Sequence, residues 1–277
     1  MQSIGILYIA TGQYTIFWEQ FYRSFEKFFL PELEKHYYVF TDAKHLYADE
    51  NERVHVIFQE ALPWPLPTLL KFHYFLNIEE KLKQHDYLYQ SNGPIVCVQE
   101  VKAEDFLPRV NSGEELFFTI HPGYVGKNRW KWPYDRNEES MAYVPYNRGK
   151  AYVFGAMNGG TASAYLQMMH ILDSQIKTDL NHGIIARFHD ESYINHYLLD
   201  CDCYRLLPAS YAYPSGMEIA DEKYIACVDK EKYLPIKQIK GLDTRKKPDV
   251  LMRLHRAFRK RYMYWEVLRD YIFRRKK

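Results

Sequence analysis

The sequence contains no run of eighteen apolar residues, so no membrane-spanning helix is expected. Its start, Met1-Gln2-Ser3-Ile4-Gly5, lacks the basic segment and cleavage site of a secretory signal, and reads as the first strand of a folded domain. Cysteine is scarce: Cys97, Cys201, Cys203 and Cys227 are the only four in 277 residues. The Cys201-x-Cys203 pair offers too few ligands for a zinc site without helpers, so reduced thiols in a cytoplasmic protein are expected. There is no Gly-x-x-x-x-Gly-Lys-Ser/Thr phosphate loop, no dinucleotide fingerprint, no internal repeat and no low-complexity tract. Nor does one sign of charge prevail: 37 bases face 35 acids, a net +2.

What is present is material for a core. Apolar residues make up 47% and charged residues 26%, which excludes a disordered, collagen-like or solenoid chain. Length favours one α/β domain with an appended segment. Aromatics reach 17%, with 25 tyrosines. Their flat faces and polar tips suit sugar rings and bases, although most tyrosines in any protein simply pack. The charge is unevenly placed. Residues 245–277 hold 13 Lys/Arg and three acids, net +10, which leaves −8 for residues 1–244. The expected organisation is therefore a body over 1–244 and a basic tail over 245–277 with its own partner.

Ile4-Gly5-Ile6-Leu7-Tyr8-Ile9-Ala10 is a near-continuous apolar run of strand length, as in strands buried on both faces. Thr11-Gly12-Gln13 breaks it. Ile16, Phe17, Phe21, Phe25 and Phe28 then recur at helical spacing. Tyr37–Phe40 and Val54–Phe58 read as further strands, 68–83 as a helix, and Tyr87-Leu88-Tyr89 as the opening of another strand. Such alternation predicts an open, mainly parallel sheet with helices on both faces. Ligands then bind beyond the carboxyl ends of strands, here the loops 10–14, 41–43 and 90–95.

Three segments stand out chemically. Phe188-His189-Asp190-Glu191-Ser192 precedes a helical pattern, with Asp190 a candidate N-cap and Glu191 in the first turn, where the helix dipole favours carboxylates. Gly155-Ala156-Met157-Asn158-Gly159-Gly160 follows Tyr152-Val153-Phe154, and reads either as backbone open to close approach by a ligand or as a tight turn into a helix. Gln90-Ser91-Asn92-Gly93-Pro94 closes a strand in a polar turn.

Together these pieces resemble glycosyltransferase family 6, which includes the ABO blood-group transferases, the α1,3-galactosyltransferases and shorter bacterial homologues. The resemblance runs in the family's order across roughly residues 3–235. It rests on Ile4–Tyr14, His36-Tyr37-Tyr38-Val39-Phe40-Thr41-Asp42, His121-Pro122-Gly123-Tyr124, Ala142-Tyr143-Val144-Pro145, and above all His189-Asp190-Glu191-Ser192 with Asn195. It implies a GT-A type α/β fold, an open mixed sheet flanked by helices. It also implies retaining transfer of galactose or N-acetylgalactosamine from a UDP-sugar, in α1,3 linkage, to a β-galactoside of a surface glycan or lipopolysaccharide, with fucosylated acceptors in range. Carried over by position, Ile9, Ala10, Thr11 and Tyr14 face the uridine. Lys71 and Asn92 lie on the donor side, and Phe154-Gly155-Ala156 selects the donor sugar. Asp190 binds donor hydroxyls and Glu191 is the essential carboxylate. His121, Phe188 and Glu191 meet the acceptor. Lys230 grips the diphosphate, with Lys232, Lys237 and Lys240 as candidates for a second cation.

One departure matters. Many nucleotide-sugar transferases hold a divalent cation with Asp-x-Asp, and this chain has Asn92-Gly93-Pro94 there. A neutral amide is a poor sole ligand for a hard cation. Catalysis without metal or other cofactor is the expectation. No nucleic-acid partner is expected. Leu251, Leu254, Phe258, Trp265, Leu268 and Ile272 recur at helical spacings among the tail's Arg and Lys residues, which predicts a basic amphipathic helix over 249–277. Such a helix suits an anionic membrane surface, placing the protein peripherally on the inner membrane. The rival reading is an inactive sugar- or nucleotide-binding module of the same fold, against which the intact His-Asp-Glu-Ser segment argues.

Overall fold

The computed structural model describes residues 1–219 and 222–241. The chain divides into two units, Met1–Ile236 and Lys237–Lys277, and the sheet and the site both lie in the first. The helix expected over 249–277 and the boundary expected at 244/245 fall outside the described residues. No helix among the described residues is long and apolar enough to cross a membrane.

The strands are β1 (Ser3–Ile9), β2 (Glu34–Thr41), β3 (Val54–Phe58), β4 (Tyr87–Asn92), β5 (Ile95–Cys97), β6 (Leu116–Ile120), β7 (Val153–Thr161), β8 (Tyr204–Leu207) and β9 (Ile225–Cys227). Seven form one sheet in the order β3-β2-β1-β4-β7-β6-β8, while β5 and β9 make a separate antiparallel pair. All neighbours in the large sheet are parallel except β7, which runs against both β4 and β6. The helices are α1 (Trp18–Phe28), α2 (Leu66–Leu69), α3 (Lys71–Leu76), α4 (Glu79–Leu82), α5 (Ala103–Phe106), α6 (Ala162–Asn181) and α7 (Asp190–Tyr197). This is the mixed α/β sheet with flanking helices that the resemblance implies.

The long apolar strands follow from burial on both faces. Successive side chains alternate between the two sides of a strand. Tyr8, Tyr37, Tyr89 and Phe117 enter one core with Trp18, Phe21 and Phe25 of α1. Leu7, Tyr38, Leu88 and Phe118 enter the other with Phe72 of α3 and Tyr165 and Met168 of α6. Much of the aromatic excess is spent here, in ring contacts such as Phe21–Phe25 at 4.0 Å and Tyr8–Phe21 at 4.4 Å.

Three local expectations are corrected. The single helix over 68–83 is three short ones, interrupted at Leu70 and at Asn77–Ile78. Asn competes for backbone hydrogen bonds and is a weak helix former. The Gly155–Gly160 stretch is not a turn but the body of β7. A Cβ on Gly159 would lie 2.2 Å from the Leu88 carbonyl oxygen and 2.5 Å from Phe117 Cζ, so close packing between β4 and β6 demands glycine. Asp190 is the first residue of α7 rather than its cap, and His189 occupies the cap position.

The topology gathers the site on one edge. Ile9 and Asn92 are register partners at the carboxyl ends of β1 and β4. Because β7 runs the other way, with Met157 opposite Ser91, its beginning, Phe154–Ala156, reaches that same edge.

Candidate active site

α7 enters the site through a strained residue. His189 has φ 54° and ψ −131°, a conformation costing a non-glycine residue on the order of 1–3 kcal/mol. Its ring packs edge-on against Trp64 at 4.9 Å. The Phe188 amide donates to Ser192 Oγ (2.9 Å), closing the turn. Asn195 then clamps α7 to β7: its amide accepts from Val153 N–H (2.9 Å) and donates to the carbonyls of Val153 (3.0 Å) and Glu191 (2.8 Å). The two carboxylates are thereby presented to the start of β7.

They have different environments. Asp190 is buried and pairs with Lys71 at 2.6 Å. Lys71 is itself fully buried and also donates to Gln90 Oε1 (2.8 Å) and the Gly155 carbonyl (3.0 Å). Its charge is thus committed to Asp190. Glu191 accepts from the Tyr152 hydroxyl (2.6 Å) at Oε1 and from the Gly155 amide (2.9 Å) at Oε2. Burial raises the Glu191 pKa to about 7, against the opposing pull of those two hydrogen bonds. Gly155 is required by this contact, since a Cβ would stand 2.8 Å from Glu191 Cβ and 3.1 Å from Asp190 Oδ2.

His121 follows β6. Its Nδ1 accepts from the Gly123 amide (3.0 Å), and burial pushes its pKa down to about 4. The ring is therefore neutral at pH 7, and with Nδ1 accepting, the proton sits on Nε2 as a donor. Phe154 meets the His121 ring edge-on at 5.0 Å. Phe188 remains partly exposed with the Arg187 guanidinium 5.4 Å over its ring.

The loop after β1 forms the other half. The Ala10 amide donates to the Phe40 carbonyl (2.8 Å), the Ala10 carbonyl accepts from Thr41 Oγ1 (2.7 Å), and Asp42 Oδ1 accepts from Gly12 N–H (2.7 Å). Tyr14 donates its amide to the Thr11 carbonyl (3.2 Å) and lays its ring over Gly93, which has φ 37°. From the far end of the chain, β9 pairs with β5, and Val228 N–H donates to the Pro94 carbonyl at 2.7 Å. Lys230 follows two residues after that bond to the turn. Lys230 is half-buried, and burial lowers the pKa of its ammonium. Lys232 is exposed two residues on. Among the described residues no group of three or more His, Cys, Asp or Glu is placed to hold a metal, and the turn itself offers no carboxylate.

Tyr152 and Gln90 lie in segments that the sequence singles out, but neither is among the site residues expected from it, and the structure places both against the carboxylate pair and its lysine. Gln90 carries a usable signal, since a polar residue inside a strand buried on both faces must find buried partners. Tyr152 carries none, because nothing local distinguishes it from the many packing tyrosines.

A model of glycosyltransferase family 6 matches residues 78–232. The O-antigen biosynthesis glycosyltransferase WbnI of Escherichia coli is 37% identical over 194 residues, covering 70% of this chain and 81% of the relative. The globoside α-1,3-N-acetylgalactosaminyltransferase 1 of Gallus gallus is 28% identical over 76% of this chain, and the histo-blood group ABO system transferase 2 of Rattus norvegicus 28% over 71%. The matches span 61% and 59% of those two longer proteins. The extent of the family match and the identity to the bacterial relative establish that the chain belongs to glycosyltransferase family 6.

Proposed function

We propose that the chain is a retaining hexosyltransferase that moves galactose or N-acetylgalactosamine from a UDP-sugar, in α1,3 linkage, to a β-galactoside of a bacterial surface glycan. The observation that carries the reading is Glu191, held between Tyr152 and Gly155 at the carboxyl edge of the sheet, one residue from the buried Lys71–Asp190 pair. The names of the relatives, an O-antigen enzyme and an α-1,3-N-acetylgalactosaminyltransferase, favour the same chemistry.

Breaking the sugar–phosphate bond leaves an oxocarbenium-like centre and a diphosphate of increased negative charge. The residues of the β1 loop and the turn at Asn92 cradle the nucleotide. Lys230 answers the charge: a half-buried ammonium with a lowered pKa gains from an anion arriving beside it. Lys232 is the nearest candidate for a second cation. Glu191 lies beneath the anomeric carbon. As nucleophile or as stabiliser of the cation it meets the requirement that retention places on a carboxylate there. Asp190 receives donor hydroxyls from a fixed position, Phe154-Gly155-Ala156 bounds the sugar, and Nε2–H of His121 donates to an acceptor oxygen beside Phe188. No metal is assigned a step.

The test is release of UDP from UDP-galactose and UDP-N-acetylgalactosamine with lactose or a fucosylated galactoside, in wild type and Glu191→Gln. The variant keeps the shape of the side chain and removes its charge. Turnover is expected to fall at least about a hundredfold, roughly 3 kcal/mol of barrier, with donor binding kept. Near-wild-type transfer by Glu191→Gln sinks the assignment, and absence of transfer by the wild type across the panel sinks the activity.

A further inference from the structure

Tyr152 is given no role by the sequence, yet it makes the shorter of the two hydrogen bonds to Glu191. Its ring is 2% exposed and is held by Tyr124 (5.1 Å), Tyr134 (5.4 Å) and His121 (5.8 Å). The next residue, Val153, is bonded through both its N–H and its C=O to Asn195 of α7. Phenol and carboxylate are therefore fixed against one another by backbone as well as side chain.

We propose that Tyr152 is a positioning residue for the transfer reaction: its hydroxyl, donating to Oε1, sets the direction of the Glu191 carboxylate and holds it in the charged form. The proposal rests on the reading of Glu191 given above.

The surrounding charges show why a donor is needed there. Burial and the neighbouring Asp190 both favour protonation of Glu191, while Lys71 from α3 favours the carboxylate but is already engaged by Asp190. From the acceptor side, Tyr124 and Arg187 face the same Tyr152–Glu191 pair, a neutral phenol and a cation. Burial and Glu191 hold the Tyr152 phenol far above its ordinary pKa, so it stays a donor throughout the working range. With the Gly155 amide taking Oε2, a lone pair on each oxygen remains for the reacting sugar.

Tyr152→Phe keeps the ring and removes only the donor. Losing a hydrogen bond to the charged form raises a carboxyl pKa. The acid limb of kcat should therefore move to higher pH by about one unit, with kcat at pH 7 down about fivefold and donor KM within about twofold. In a Glu191→Gln background the same change should cost less than about twofold, because the partner whose charge it serves is gone. Carbon-13 NMR of Glu-labelled protein, with the Glu191 signal assigned by its loss in Glu191→Gln, follows the carboxyl without any turnover. It should titrate at higher pH in Tyr152→Phe than in wild type. An unmoved titration together with an unmoved acid limb overturns the proposal. Near-wild-type transfer by Glu191→Gln overturns the reading of Glu191 instead, and the NMR titration still decides whether Tyr152 holds that carboxylate.

Discussion

Lys71 Nζ and Asp190 Oδ2 stand 2.6 Å apart, and neither side chain is more than 8% exposed. Removing one partner leaves the other charge buried without compensation, and such losses cost about 3–5 kcal/mol. Lys71→Met should lower stability by that order in urea unfolding. It should also weaken UDP-sugar binding, because Asp190 is then free to swing. A variant as stable as the wild type would show that the pair is dispensable.

The raised pKa of Glu191 makes a stability prediction of definite sign. A folded-state pKa of about 7 lies above the unfolded value, so the folded protein binds this proton more tightly. The associated stability is full below the unfolded pKa and is lost as pH rises through about 7. Glu191→Gln has no such proton. Relative to it, the wild type should lose at most about 3 kcal/mol of unfolding free energy between pH 4 and pH 8. Parallel pH profiles for the two proteins would refute the assignment of the titration to Glu191.

The turn Asn92-Gly93-Pro94, which has no carboxylate, together with Lys230 predicts transfer that survives chelation. EDTA should leave the rate within about twofold, whereas Lys230→Ala should cut it severely, because a preorganised cation is lost from the leaving group. Strong inhibition by EDTA, reversed by manganese, contradicts this.

In the proposed reading Ala156 ends the triplet that bounds the donor sugar, and its methyl leaves less room than glycine for a substituent on carbon 2. UDP-galactose is the expected better donor. Comparing kcat/KM for the two donors decides it, and Ala156→Gly should shift the ratio towards UDP-N-acetylgalactosamine.

The basic segment 245–277 is expected to bind anionic vesicles in a salt-sensitive way, at about 1 kcal/mol per Lys or Arg near the surface. Deleting it should abolish co-sedimentation and spare turnover on a soluble acceptor. Intact protein that never sediments with vesicles, or truncated protein that still does, removes the membrane role.

How much of this was legible in the sequence depends on distance along the chain. β1 and β2 were visible because burial on both faces writes a continuous apolar run into each. His189-Asp190-Glu191-Ser192 was visible because its residues are contiguous. The glycines of β7 misled, since what requires Gly159 is Leu88 and Phe117, remote residues that no local window contains. The pairing of Lys71 with Asp190 was hidden, because that partner lies more than a hundred residues away. Tyr152 and Glu191, 39 residues apart, meet where α7 packs on β7, fastened there by Asn195 and the Gly155 amide.

The reversed direction of β7 has a consequence for how such an enzyme diversifies. In the proposed reading, nucleotide-side groups are delivered as β1, β2 and β4 finish side by side at the carboxyl edge. In the same reading His121 opens the long stretch 121–152, which leaves β6 at the active edge and returns to that same edge to begin β7. Within it Tyr134, Ala142 and Val144 are buried and Ser140 donates to Asp179 of α6 (2.6 Å), so room for change between His121 and Tyr152 lies at exposed residues such as Lys127, Asn128 and Trp130. Substitutions at those exposed positions are expected to alter the choice of acceptor while the strands on either side keep their register.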